Sequence, residues 1–353
     1  MKKILMCGST LNTKGGIVSV VKNYLTSNSW KEHSFIYVPT HFDTNKYILV
    51  LFFGCAYIKI ILLTLFCRFS LVHLHTSERG SFWRKQLLLH TLKFFGKKVI
   101  LHHHGAEFDL FFQNCTDKQK QRIIATLEKA DMNIVLSKRL VNMIKEKAPN
   151  AAVSVVYNAV NTFPDIPYNT TARNILFMGR LGERKGTYDL LQSIQRLDPV
   201  INPDIQFYLC GDGDIEGVKK AISQLHLEHR IAHIGWIDGE QKNKILQNTM
   251  INVLPSYNEG LPMTILETMA YGIPNISTHI ASIPEVIKDS TNGFLITPGD
   301  VDALTSCLSQ LISDASLRQT FSTESYHMIM NNFSLDKKIQ QMESIYNQLE
   351  QSR

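Results

Sequence analysis

Short apolar runs recur along the chain and alternate with stretches whose apolar positions return at helical spacing, the pattern of buried parallel strands joined by crossover helices. The runs predict strands at 3–7, 33–38, 71–75, 98–103, 132–136 and 153–157, and a second series at 174–178, 205–210, 231–234, 251–254, 275–277 and 294–296. After the first strand, Ile17, Val20, Val21, Tyr24 and Leu25 share one helical face, and near the end Ile339, Met342, Ile345, Tyr346 and Leu349 do the same. Between the two strand series, residues 161–171 carry Pro164 and Pro167 among turn formers without any period, so a linker is expected there.

Each series has enough strands for its own doubly wound sheet, and 353 residues exceed what one core normally supports. The expected fold class is therefore α/β: two Rossmann-like domains with parallel sheets, 1–165 and 170–334, followed by a C-terminal helical segment, 335–353. Ligands of such sheets bind outside the carboxyl ends of the strands.

Charge sharpens the picture because the two halves differ. Residues 1–168 hold 22 Lys and Arg against 10 Asp and Glu, a net +12, whereas residues 169–353 hold 15 against 21, a net −6. A basic first half favours an anionic partner: an anionic membrane surface, a diphosphate-bearing acceptor or nucleic acid. No helix-turn-helix, zinc-finger or RNP-like signature accompanies the basic residues, which argues against nucleic acid. Cys7, Cys55, Cys67, Cys115, Cys210 and Cys307 form no CxxC pair, and several lie in apolar runs, as expected of free thiols in a reducing cytoplasm. Lys2-Lys3 precedes an apolar run too short for a signal peptide, so that run reads as a strand. Residues 47–67 approach the length of a bilayer span but contain Lys59 near their centre; a helix covering a sheet, or one resting on a membrane surface, accounts for them.

The densest chemical signal is the stretch from Asn258 to Pro274. Pro262 and Gly272 bracket a short helix, with Pro262 expected at its first position and Pro274 preventing continuation. Glu259 then sits in the loop before the helix and Glu267 one to two turns inside it. A helix start offers unpaired N–H groups and partial positive charge, so this loop can hold hydroxyls and a phosphate while Glu267 reaches a diol.

At these residues the chain resembles the retaining glycosyltransferases of family 4, whose hallmark is two Glu separated by seven residues in a GT-B fold. The resemblance implies two domains facing across a cleft, with the acceptor on the first and a nucleotide-sugar donor, a UDP-sugar foremost, on the second. It also implies that the C-terminal helix crosses back to the first domain. Arg180 and Lys185, in Gly179-Arg180-Leu181-Gly182-Glu183-Arg184-Lys185-Gly186, match the cations that hold the donor diphosphate in the family. Glu259 would orient the sugar, Gly260, Leu261 and Met263 would line the site, and Glu267 would accept bonds from the ribose. Gly211 falls in a glycine loop beside the nucleotide, and Trp236 and Ile237 where the base is bordered, although Trp236 also suits a core.

In the first half, Gly15 and Gly16 take the place of a glycine loop bordering the donor diphosphate and the acceptor; a plain turn accounts for them as well. They do not complete a GxGxxG dinucleotide motif. Three successive imidazoles at His102, His103 and His104 cannot all face one way on a strand, which argues against a zinc site from that run alone. His104, beside Gly105, matches the family histidine that touches the transferred sugar. His75 and Ser77 border the acceptor, or His73 and His75 are histidines of the core or the rim.

The resemblance favours attack on the same face as the departing diphosphate, with no metal and no cofactor beyond the donor. Within the family, the basic first half, with His75 and residues 102–105, resembles bacterial enzymes that extend lipid-linked oligosaccharides for capsule, exopolysaccharide or O-antigen, which implies a saccharide or polyprenyl-diphosphate-linked oligosaccharide acceptor. The competing readings are a UDP-sugar epimerase or phosphorylase on the same scaffold, and a non-catalytic, membrane-associated protein that only binds sugar nucleotides.

Overall fold

A computed structural model describes residues 1–13, 15–69, 71–105 and 107–352. Lys14, part of the glycine-loop motif, lies outside the described residues. In chain order the elements are β1 (Lys2–Ser9), α1 (Gly16–Thr26), β2 (His33–His41), α2 (Lys46–Phe66), β3 (Leu71–Thr76), α3 (Gly80–Phe94), β4 (Lys98–His103), α4 (Phe108–Gln113), α5 (Asp117–Lys129), β5 (Met132–Val135), α6 (Lys138–Lys147) and β6 (Val153–Val155). A second series follows: β7 (Asn174–Met178), α7 (Thr187–Leu197), β8 (Gln206–Cys210), α8 (Ile215–Gln224), β9 (Ile231–Gly235), α9 (Gly239–Gln247), β10 (Thr249–Leu254), α10 (Met263–Ala270), β11 (Asn275–Thr278), α11 (Ile283–Val286), β12 (Gly293–Ile296), α12 (Val301–Ser313), α13 (Ala315–Asn332) and α14 (Leu335–Gln351). Every predicted strand is present.

Two compact units result. One comprises Met1–Ala159 with Leu335–Arg353, the other Val160–Ser334. The first sheet has the order β2-β1-β3-β4-β5-β6 and the second β12-β11-β10-β7-β8-β9, all pairs being parallel. In the first sheet the strand order reverses between β1 and β3, and in the second between β7 and β10. Parallel connections are right-handed, so a reversal sends the helices to opposite faces and makes a crevice at the carboxyl ends of the two central strands.

Side-chain alternation allocates the first core. Leu5 and Cys7 of β1, Val72 and Leu74 of β3 and Val99 and Leu101 of β4 pack with Ala56 and Ile60 of α2 and with Leu88, Leu89 and Leu92 of α3. The alternate positions His73, His75 and His102 turn to the opposite face, where the Tyr24 ring of α1 lies 6.3, 6.3 and 6.4 Å from their rings. On that face the Tyr346 hydroxyl of α14 meets His73 Nδ1 at 2.6 Å, and its ring stacks on Trp30 at 5.8 Å. Glu343 of the same helix accepts the N–H groups of Lys31 and Glu32, each at 2.8 Å. In the second unit Leu176, Cys210, Leu246, Tyr271 and Ile273 form a core cluster.

Local chemistry sets the helix ends. Thr116 forms a reciprocal capping box with Gln119 before α5, and Asp238 does so with Gln241 before α9. Two expectations need adjustment. Pro262 caps α10 instead of occupying its first turn, because its ψ of 124° is extended. In α1 the buried positions are Val18, Val20, Val21 and Tyr24, while Ile17 and Leu25 are only partly covered; the buried face has rotated toward Val18.

Helix α2 buries only Ala56, Ile60 and Thr64, and it is the one helix among the described residues long and apolar enough to cross a membrane. Tyr47, Leu51 and Phe66 are 83%, 71% and 80% exposed.

Because Tyr346 is fully buried between Trp30 and His73, Tyr346→Ala should remove about 3–5 kcal/mol from the unfolding free energy of the first unit in urea titrations. A loss below about 1 kcal/mol would show that α14 is not anchored by this ring.

Candidate functional site

The loops that leave β7 and β10 meet at the reversal of the second sheet. The β7 loop passes through one 3₁₀ turn, Glu183–Lys185, and Gly186 (φ 70°) then caps α7. A Cβ on Gly186 would stand 2.1 Å from the Pro255 carbonyl oxygen, so only glycine lets the two loops touch backbone to backbone. Tyr257 donates its N–H to the Arg184 carbonyl at 3.0 Å, and the Tyr257 hydroxyl donates to Asp189 at 2.8 Å.

Across this seam Lys185 Nζ donates to Glu259 Oε1, and the Ser256 hydroxyl donates to the same oxygen at 2.7 Å. Glu259 is 6% exposed although it sits in a loop. Burial pulls the Lys185 ammonium below its ordinary pKa, opposed by the Glu259 charge and hydrogen bond and reinforced by nearby Arg184. A buried pair of this kind is costly to break, since removing either partner strands the other charge away from water. Both described bonds end on Oε1, which leaves Oε2 for a further donor. Arg180 is placed otherwise: its side chain is 64% exposed and its guanidinium lies 3.7 Å from Asp212, outside the Lys185–Glu259 pair.

Glu259 leads through Gly260 and the buried Leu261 into α10, where Met263 opens the first turn. No side chain caps that turn, so its N–H groups and the partial positive charge of the helix start are available to an anion. Thr264 fastens the helix to β7 by donating to the Met178 carbonyl at 2.9 Å. One turn further, Glu267 Oε1 pairs with Lys242 Nζ of α9 at 3.0 Å.

Gly211 is buried against β7, and a Cβ there would lie 1.8 Å from the Gly179 carbonyl oxygen. Its neighbours complete the junction: Leu181 donates to the Asp212 carbonyl at 2.6 Å, and Asp214 donates to the Leu181 carbonyl at 3.1 Å. Gly211 thus sets how closely the β7 and β8 loops approach. Trp236 is 49% exposed, whereas Ile237 packs into the core cluster with Leu176 and Tyr271.

Gly15, Gly16 and His104 belong to the first unit. Gly15 (φ 132°) precedes α1, whose N-terminus also lacks a side-chain cap. His104 is partly buried; His75 Nδ1 lies 2.8 Å from its Nε2, and its ring stacks on His102 at 4.2 Å. Loss of water, then the neighbouring His103, holds His104 down to about 3, so it is a neutral imidazole. His103 turns the opposite way, to Asn133 at 3.1 Å, as strand alternation requires.

His73, His75 and His102 place one ring nitrogen each within 4.8 Å of one another, the only such metal-competent group among the described residues. Hydrogen bonds occupy most of those nitrogens: His73 uses Nδ1 for Tyr346 and Nε2 for His102 Nδ1 at 3.0 Å, and His75 uses Nδ1 for His104. His75 Nε2 and His102 Nε2 are left without partners, too few for the three or four ligands a zinc ion takes.

Sequence reasoning overlooked Ser256, Lys242, Arg84 and Lys85. Ser256 and Lys242 become legible only once it is known which strands and helices are neighbours. Lys85 left a fainter sign, a cation at helical spacing with the buried Phe82, Leu88 and Leu89 of α3.

Residues 161–328 match the family described as glycosyl transferases, group 1. The lipopolysaccharide 1,6-galactosyltransferase of Salmonella typhimurium is 32% identical over 194 residues, 52% of this chain and 53% of that protein. The UDP-Gal:alpha-D-GlcNAc-diphosphoundecaprenol alpha-1,3-galactosyltransferase of Escherichia coli is 25% identical over 308 residues, 79% of this chain and 75% of that protein. The chain spans 60%, 60%, 54%, 45% and 53% of the length of the first five curated relatives it matches. Among solved structures, Anabaena HepE in complex with UDP aligns over 99% of this chain and 100% of that one, with a TM-score of 0.77 at 14% identity. The twin parallel sheets are those of the GT-B fold.

Lys85 yields a pH test. Burial holds its ammonium down to about 8, partly offset by Cys7 and reinforced by Arg84. Between about pH 8 and pH 10 the unfolded chain keeps a proton that the folded chain has released, so stability should rise with pH across that window. Unfolding free energies of the wild type minus those of Lys85→Met should show this rise, and a flat difference would mean that Lys85 titrates normally.

Proposed function

We propose that this chain, which through residues 161–328 belongs to the group 1 glycosyl transferases, moves a sugar from a UDP-sugar to a saccharide acceptor with retention at the anomeric carbon. The observation that carries the reading is the Lys185–Glu259 pair beside the uncapped start of α10, at the strand-order reversal of the second sheet. That juxtaposition offers a cation, an oriented carboxylate and free N–H groups where a doubly wound sheet binds its ligand. The UDP held by HepE supports the choice of nucleotide, and the diphosphoundecaprenol named for the Escherichia coli relative supports a lipid-linked acceptor in surface polysaccharide synthesis.

In this reading Lys185 and the exposed Arg180 neutralise the diphosphate, while the first-turn N–H groups of α10 from Met263, with Gly260 and Leu261 before them, bind phosphate and sugar hydroxyls. Glu259 holds Lys185 through Oε1 and a sugar hydroxyl through Oε2. Glu267, steadied by Lys242, accepts from the ribose, and Trp236 borders the base. Gly211 and Ile237 shape that pocket from beneath. Gly15 and Gly16 border the donor diphosphate and the acceptor, and neutral His104 contacts the transferred sugar. The acceptor oxygen bonds to the anomeric carbon on the face that the diphosphate leaves. The anomeric carbon–oxygen bond to the diphosphate breaks, and the acceptor hydroxyl proton passes to a diphosphate oxygen. Stabilising the departing charge in a water-poor site is the main catalytic contribution.

The exposed apolar surface of α2, set in the basic half, supports peripheral contact with an anionic membrane, at the cytoplasmic face. Binding to anionic liposomes should then fall as salt rises, since the Debye length shortens from about 10 Å at 0.1 M to about 3 Å at 1 M. It should also fall in Leu51→Glu; binding insensitive to both changes would remove the membrane role.

Incubation with UDP- and GDP-sugars side by side, with and without saccharide acceptors, tests the reaction. Transfer from a UDP-sugar is expected, and acceptor-independent isomerisation of the UDP-sugar would establish an epimerase instead. Lys185→Ala should lower turnover by roughly two orders of magnitude, as loss of a charge-stabilising donor does. Glu267→Ala should chiefly weaken UDP binding in calorimetry. Wild-type values in both variants would overturn the assignment of this site.

A further inference from the structure

A cavity of about 460 Å³ opens at the reversal of the first sheet, where the loops leaving β1, β2 and β3 part. Two uncapped helix starts line it: Gly15 and Gly16 at α1, and Gly80 at α3. Neither helix has an acidic residue in its first turn. Arg84 and Lys85, successive residues of α3, also line it.

Lys85 is 2% exposed, and its ammonium donates to the Thr40 hydroxyl at 2.6 Å. An ammonium carries three donors and a full charge, yet no carboxylate pairs with Lys85 or Arg84 among the described residues. The Arg84 Nε is buried without a partner. Cys7, the ionisable group that favours Lys85's charge, has its thiol pushed up to about 12 by burial and stays neutral. The one acid on the wall, Glu78, is engaged, accepting the Glu107 N–H at 2.6 Å. His41 and His75 line it as well, beside serine and threonine hydroxyls, and burial holds both below the ordinary histidine range. An unpaired buried cation is tolerated poorly unless a ligand supplies the missing charge.

We infer that this cavity binds a phosphate or diphosphate ester of the acceptor, so that the acceptor is itself anionic and Arg84 and Lys85 select it. The inference rests on the proposed transferase reading, in which the donor diphosphate belongs to Lys185 and Arg180 of the other unit. Arg84 supplies a planar fork and Lys85 a compact charge, with the two helix starts adding N–H groups.

The test titrates the full chain with inorganic pyrophosphate in saturating UDP, followed by calorimetry. Pyrophosphate should still bind with UDP present, and Arg84→Gln and Lys85→Met should each weaken it about tenfold or more, as loss of a charged hydrogen bond does. The UDP affinity itself should move less than twofold. Arg84 is partly exposed, so its variant keeps the test informative if Lys85→Met fails to fold. Displacement of pyrophosphate by farnesyl diphosphate supports a lipid-linked acceptor, and displacement by glucose 1-phosphate supports a soluble sugar phosphate. Mutual exclusion of UDP and pyrophosphate would assign the cavity to the donor and overturn the inference, as would unaltered binding in Arg84→Gln. Failure of UDP to bind would instead count against the transferase reading and leave pyrophosphate binding as an independent result.

Discussion

Reversal of strand order in a parallel sheet is the constraint from which the rest follows. Right-handed crossovers force the helices after β7 and β10 onto opposite faces, and those after β1 and β3 likewise. The loops at those positions therefore lead to opposite faces of the sheet, and the helix starts flank a crevice at the carboxyl ends of the central strands. Both clusters of chemical interest lie there: Lys185 with Glu259 in one unit, Arg84 with Lys85 in the other. Neither cluster needs an insertion to create its opening, because the winding leaves the space.

Glycine and buried charge then act in different ways at the two openings. In the second unit, Gly186 against Pro255 and Gly211 against Gly179 draw three loops so close that a Cβ would collide with backbone. That closeness brings Lys185 within reach of Glu259 and buries both, so the ammonium is already compensated and its position is fixed before any ligand arrives. In the first unit the glycines at Gly15 and Gly80 meet little or nothing at the Cβ position, the nearest atom being the end of Arg84's own side chain. There the loops stay apart, and among the described residues the interior cation finds a hydroxyl and no carboxylate. One opening is preorganised around a paired charge and the other around an unpaired one.

How much of this was legible follows from which interactions are local. Parallel strands are covered on both faces, so each appears as a continuous apolar run; β4 and β7 match their predicted bounds, β2 runs three residues further, to His41, and the others differ by a residue or two at their ends. The helix bearing Glu267 was readable from Pro262 and Gly272 because termination chemistry is encoded within a few residues. Ion-pair partners were not readable. Lys242 and Glu267 stand 25 residues apart and Lys185 and Glu259 stand 74 apart, joined by the reach of the Lys242 side chain from α9 to α10 and by the adjacency of β7 and β10. The sequence did not distinguish the exposed Arg180 from the buried Lys185 either, since both follow β7 within the same basic motif.

The histidine ladder shows why residue type alone misleads about chemistry. His73, His75, His102 and His104 look like ligands or acid–base groups in sequence, and alternation does place them on one face of neighbouring strands. Removal from water, followed in each case by repulsion from nearby imidazoles, keeps all four neutral. A neutral imidazole both donates and accepts, so the four form two ring-to-ring bonds, His73 with His102 and His75 with His104; the pairs stack on one another, and His73 passes on to Tyr346 of α14. His73, bonded to both His102 and Tyr346, therefore helps to hold the last helix against the sheet. A histidine at the end of this ladder is positioned by its neighbours and kept uncharged by them, which suits contact with sugar hydroxyls better than proton transfer near neutral pH.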